Sequence, residues 1–185
     1  MPVSVIPFNM PEPMEIPAHL VDMLKALPSD EVVMDKAMEL LAGIEAAELM
    51  IYERVDENGI LGLGGVYCSD VGRAAELRER LAAESFYNQP LNSGDEALAA
   101  QAFANNSPLL IMGQVEAGET ISLPAALTNF LLGGESGNIG FLYVLTLSGA
   151  DQRPLGALTL VRPMATGPLN HEQPNITERV RQVLC

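Results

Sequence analysis

The chain has 185 residues, enough to bury the core of one domain and too few for two of ordinary size. Hydrophobic residues make up 48% and tryptophan is absent, so an aliphatic core of mixed α and β structure is expected. The formal net charge is −14, and residues 1–59 alone hold 12 acidic against three basic side chains, the wrong sign for a nucleic-acid backbone or an anionic membrane surface.

The elements follow in chain order. Residues 1–17 contain Pro2, Pro7, Pro11, Pro13 and Pro17, a density that forbids regular helix and predicts an extended arm ahead of a single domain over residues 18–185. Leu20, Leu24 and Leu27 fall at helical spacing in a short segment that Pro28 ends. Ser29 is placed to cap a helix over 29–44, with Asp30 and Glu31 in its first turn, an apolar stripe through Val33, Ala37, Leu40, Leu41 and Ile44, and Gly43 close to its expected end. Leu49 to Val55 reads as a strand, Asp56-Glu-Asn-Gly59 as a turn, and Ile60 to Cys68 as the partner strand.

A helix is predicted from Asp70 to Glu84, with Leu77 and Leu81 four apart and a solvated face of Glu76, Arg78, Glu79 and Arg80. A short alanine-rich helix over 95–104 follows, then a brief strand over 108–112. Phe141 to Leu147 and Pro154 to Arg162 form a long hairpin around a Gly- and Asp-containing link, and Gly156 marks a bend or close backbone approach. A polar loop over 164–174 and a helix over 175–184 close the chain; Ile176, Val180, Val183 and Leu184 give that helix one apolar stripe, for its own sheet or for a partner helix.

No apolar run reaches the roughly 18 to 20 residues of a membrane span, and the N-terminus lacks the basic start and apolar core of a signal peptide. Cys68 and Cys185 are the only cysteines and form neither a disulfide framework nor a metal-ligand spacing. A cytoplasmic protein with reduced thiols is expected, binding neither membrane nor nucleic acid.

Three segments carry a resemblance. Leu49-Met-Ile-Tyr52 through Asp56-Glu-Asn-Gly59 to Gly65-Val-Tyr67 is one; Pro90-Leu91 through Ala97-Leu-Ala-Ala-Gln-Ala102 to Asn106-Ser-Pro-Leu-Leu-Ile111 is the second. The third is Phe141-Leu-Tyr-Val-Leu-Thr-Leu147, Pro154-Leu-Gly-Ala-Leu-Thr-Leu160 and Leu169-Asn-His-Glu172. In order and spacing the chain resembles a GAF domain, the small-molecule sensor fold. The resemblance implies an α+β fold, profilin-like and related to PAS domains. A central antiparallel sheet would carry the N- and C-terminal helices on one face, with short helices and loops over a pocket on the other.

The stretches matching the family's pocket are 67–71, 85–90, 111–116 and 121–138. They nominate Tyr67, Ser69, Asp70, Phe86, Tyr87, Asn88, Met112, Asn129 and Phe130 as ligand-binding residues, with aromatic faces and hydrogen-bonding groups concentrated in the first two stretches. Beside that stands a plainer reading: Asp70 caps the helix after it, Phe86 and Tyr87 fill the lid, and Asn129 and Phe130 anchor a helix.

Specialised members of the family are tested by what the chain lacks. Asn129-Phe130 stands without the lysine of the cyclic-nucleotide signature, and neither cysteine has the histidine neighbour usual for bilin attachment. The free-methionine sulfoxide reductases need a second thiol to resolve a sulfenic intermediate, and only Cys68 falls near the pocket. With His19 and His171 the only histidines, no catalytic triad or histidine metal site is suggested, and the cofactor is left unknown, with no metal, bilin or nucleotide signature.

The expected function is therefore a non-catalytic regulatory sensor. It would bind an unknown small molecule and signal through dimerised terminal helices to an output domain or partner protein. The alternative is an interaction or dimerisation module with no ligand, and a redox enzyme on this fold ranks third.

Overall fold

The strands predicted from period-two patterning join into one antiparallel sheet. The computed structural model describes residues 4–7, 30–93, 97–104, 109–112, 123–127, 141–148 and 151–162. The predicted helices near residue 20 and over 175–184, the Ser29 cap and the loop over 164–174 lie outside them. In chain order the described strands are β1 (Ser4–Pro7), β2 (Leu49–Val55), β3 (Ile60–Cys68), β4 (Gln89–Pro90), β5 (Leu109–Met112), β6 (Phe141–Ser148) and β7 (Pro154–Arg162). Their order across the sheet is β1-β5-β6-β7-β2-β3-β4, with every neighbouring pair antiparallel. Within the proline-rich segment, β1 pairs Ser4 with Met112 and Pro7 with Leu109. An edge is where a strand tolerates a proline, since one side of its backbone has no ladder to complete.

The first helix, α1 (Asp30–Glu45), runs through Gly43, which leaves no gap in the turn. Its stop is Ala46, at φ 50°, with the Ala47 amide donating to the Ala42 carbonyl at 3.0 Å. That six-to-one bond over a left-handed residue is a Schellman cap carried by alanine instead of glycine. The turn between β2 and β3 is held by Asp56, whose Oδ1 accepts from the amides of Asn58 (2.8 Å) and Ile60 (2.9 Å), while Gly59 takes φ 77°. The Ile60 bond leads the causes that hold the Asp56 carboxyl below its ordinary value. Helix α2 (Val71–Ala82) is capped by Asp70, and helix α3 is Leu98–Ala104; of the predicted 95–104, residues 95 and 96 lie outside the described residues.

Alternation along the central strands sends side chains to two separate cores. Met50, Tyr143, Leu145, Leu158 and Leu160 meet Met34, Met38 and Leu41 of α1 on one face. Leu49, Ile51, Leu142, Val144, Ala157 and Val161 meet Leu77 and Leu81 of α2, Leu98, Ala99 and Ala102 of α3, and Leu127 on the other. Gly64 is the extra residue of a bulge in β3, where the register shifts between Tyr52, paired with Gly65, and Glu53, paired with Leu63. A side chain at Gly64 would meet the Tyr52 ring at 2.3 Å, so the bare backbone lets that ring lie across the strand.

Candidate functional site

The second face of the sheet is roofed by α2, the segment after it, α3 and a helical turn over 125–127, and it is here that the strand pattern breaks its own rule. Leu49, Ile51 and Val55 of β2 point to this face, and the position between them is Glu53, only 2% exposed. Its Oε1 accepts from the Tyr87 hydroxyl at 3.0 Å, and its Oε2 from the Ala99 backbone amide, in the first turn of α3, at 3.0 Å. A carboxylate suits a helix start because the first-turn amides lack intrahelical acceptors. Burial nevertheless outweighs both hydrogen bonds and raises the Glu53 pKa from 4.5 to about 7. Burial, together with the Glu53 charge and then that of Glu84, pushes the Tyr87 phenol well above its ordinary range, so Tyr87 keeps its proton and donates it to the ionised Glu53 carboxylate.

Glu84 repeats the device on the neighbouring roof element. Its Oε1 accepts from the Ala126 amide at 2.9 Å, tying residues 125–127 to the end of α2. Helix α3 and residues 125–127 are thus each fastened by a carboxylate from another part of the chain. Replacing Tyr87 with phenylalanine is expected to cost about 2 kcal/mol of stability, the scale of a hydrogen bond to a charged acceptor. Urea unfolding should show a larger loss near pH 8, where Glu53 is ionised, than near pH 5.

The residues singled out from the sequence divide between two places. Phe86 and Tyr87 are buried under the roof with ring centroids 4.6 Å apart and planes at 59°. Asn88, at φ 61°, turns the chain into β4, and its amide donates to the Leu61 carbonyl at 2.8 Å. Tyr67 alternates to the α1 face and packs against that core; with Ser69 it borders a cleft of about 390 Å³ shared with Asp35, Met38 and Arg78. Asp70 caps α2, its Oδ1 accepting from Gly72 (2.9 Å) and Arg73 (3.3 Å). Met112 ends β5, paired with Phe141, while its side chain and all of Asn129 and Phe130 lie outside the described residues.

Glu53 and Glu84 were missed by sequence reasoning. The signal for Glu53 was present, since it occupies the apolar phase of an alternating strand; the one for Glu84 was not, because a helix-end glutamate ordinarily faces water. Cys68 is buried on the roofed face, and among the described residues no three His, Cys, Asp or Glu side chains are grouped to hold a metal ion. None of the described helices is long and apolar enough to cross a membrane.

No protein-family model matches the sequence, and no curated protein matches it. Solved structures do match in fold. The GAF domain/HD domain protein of Geobacter sulfurreducens aligns with a TM-score of 0.59 at 12% identity over 86% of this chain and 92% of that one. The GAF domain of an Acinetobacter phosphoenolpyruvate-protein phosphotransferase aligns with a TM-score of 0.57 at 12% identity over 90% and 86%. A free methionine-R-sulfoxide reductase from Neisseria meningitidis, solved in complex with its substrate, aligns with a TM-score of 0.53 at 11% identity over 90% and 82%.

Proposed function

With the GAF fold as its scaffold, we propose that this chain is a sensory domain that takes a small cytosolic molecule between the sheet and its roof. The observation that carries the reading is the pair of carboxylate fastenings, Glu53 to Ala99 of α3 and Glu84 to Ala126. A molecule that competes for those acceptors, or shields them, changes how the roof sits, and the chain responds by as much as the ligand prefers one roof position over the other. Phe86, Tyr87 and Asn88 are the described residues of the nominated set nearest this route; Met112, Asn129 and Phe130 complete the proposed contact set. Tyr67, Ser69 and Asp70 belong to it only where the ligand reaches the β3 end of α2. The response passes to the terminal helices, which pair with those of a second copy and act on an output domain or partner.

Native mass spectrometry of the purified protein tests this directly. A retained small-molecule mass in a dimer, lost in Phe86→Leu, is the expected result. An empty dimer that shows no thermal shift against a broad metabolite panel would sink the sensor reading and favour a ligand-free interaction module.

A further inference from the structure

Glu53 is a costly fastening for a helix. Replacing a buried charge by an apolar side chain is often neutral or stabilising, so holding α3 in place does not by itself call for a carboxylate here. A second polar group on the same face is left unsatisfied, since Thr159 is fully buried and its Oγ1 has no hydrogen-bond partner among the described residues. Thr159 shares the face of Ala157 and Val161, and β2 pairs Ile51 with Thr159 and Glu53 with Ala157. Glu53 and Thr159 are therefore diagonal neighbours across the central strand pair.

The free valences and the charge both point one way. A carboxylate offers about four lone-pair sites, and among the described residues Tyr87 and Ala99 use one on each Glu53 oxygen, so each oxygen keeps one beyond these donors. Tyr87 is the titratable group that faces Glu53 from the segment after α2, and the charge of Glu84 in turn acts on Tyr87. The described residues of α3 bring none, β7 brings none to this face, and β3 brings Cys68 alone. Arg54 and Arg162 alternate to the α1 face. Between Arg80 and Arg153 the sequence has no lysine, arginine or histidine and seven acidic residues, and that stretch supplies α3 and residues 125–127. An anionic ligand would meet carboxylates there with no counter-charge, whereas a cation would complete Glu53.

We infer that the molecule taken beneath the roof is a small organic cation, an ammonium, amidinium or guanidinium compound, received by the Glu53 carboxylate with Thr159 Oγ1 as a second acceptor. This rests on the sensor reading and gives it a ligand class. A planar amidinium or guanidinium matches the two remaining carboxylate sites with parallel N–H donors. Because the cation must displace the proton Glu53 holds at low pH, binding strengthens as pH rises towards neutrality.

The test is isothermal titration calorimetry of the whole chain with putrescine, agmatine and benzamidine as probes and with malonate and glucose 6-phosphate as anionic controls. At least one cation is expected to bind, roughly tenfold or more tightly near pH 8 than near pH 5.5, with the anions silent. Glu53→Gln should weaken binding at least tenfold while circular dichroism shows the fold kept. Should that variant not fold, Thr159→Val, near-isosteric and expected to fold, is to weaken binding measurably, and the wild-type pH dependence supplies the second readout. Undiminished cation binding in Glu53→Gln, or undiminished binding in Thr159→Val with no pH dependence, overturns the inference. A retained anionic or neutral metabolite in native mass spectrometry overturns it while leaving the sensor reading intact, and silence of every probe and of the metabolite panel removes both.

Discussion

Replacing Gly156 with alanine is expected to destabilise the protein by about 3 to 5 kcal/mol, near the upper end for a single substitution. An added Cβ would stand 2.1 Å from the Glu53 carbonyl oxygen and 3.1 Å from the Arg54 Cα. Both obstacles are backbone of β2, the strand to which β7 is paired from Leu49↔Val161 to Arg54↔Gly156, so no side-chain rotation relieves them. The residue also holds φ 155°, which an L side chain rarely adopts. For a chain of this length the loss corresponds to a fall in Tm of about 10 °C in a thermal melt. Gly43→Ala is the control: it sits in α1 with nothing within 4 Å of a built Cβ and should gain up to about 1 kcal/mol in helix propensity. Equal effects of the two substitutions would contradict the close β2–β7 approach.

The second large effect is a pH dependence written into Glu53. Its folded pKa of about 7 exceeds the ordinary 4.5, so between those values the folded chain holds a proton that the unfolded chain has released. The contribution of Glu53 to stability is therefore most favourable below about pH 4.5 and declines by about 3 kcal/mol as pH rises to about 7, then levels. Asp56, whose carboxyl is held low, acts in the opposite sense and only at more acidic pH, where its stabilising contribution disappears as it protonates. Chemical denaturation of wild type and Glu53→Gln at matched pH isolates the effect. The variant should gain on wild type from about pH 5 to about pH 7 and level beyond it, and a constant difference would show that Glu53 does not titrate in that range. Glu53→Ala is expected to cost about 3 kcal/mol at low pH, because it leaves the Tyr87 hydroxyl and the Ala99 amide buried without an acceptor and opens a void.

Much of the fold was legible in the sequence, because its signals are local. The turn at Asp56 to Gly59 fixes a hairpin through one side chain and one glycine. The apolar phases of Leu49 to Val55 and Phe141 to Leu147 fix which residues are buried whatever they pack against. Asp70 caps α2 from one residue away. Helix ends were less legible: Gly43 reads as a stop, but the stop is Ala46, selected by the chain's need to turn back into β2. The strand formed by Ser4–Pro7 required a partner over 100 residues away, so proline density gave only extended backbone.

Spacing and charge along the chain suffice for the element order, the two-faced sheet and the acidic, lysine-poor character of the protein. Which distant residues stand together is a matter of tertiary folding. Tyr67 and Tyr87 lie on opposite faces because a strand sends successive side chains apart and a later loop returns to a place no local rule specifies. Glu53 likewise meets Tyr87 and Ala99 from 34 and 46 residues away along the chain. A buried carboxylate acquires its partners, and the pKa they and its burial set, only when segments distant in sequence close over it and exclude water.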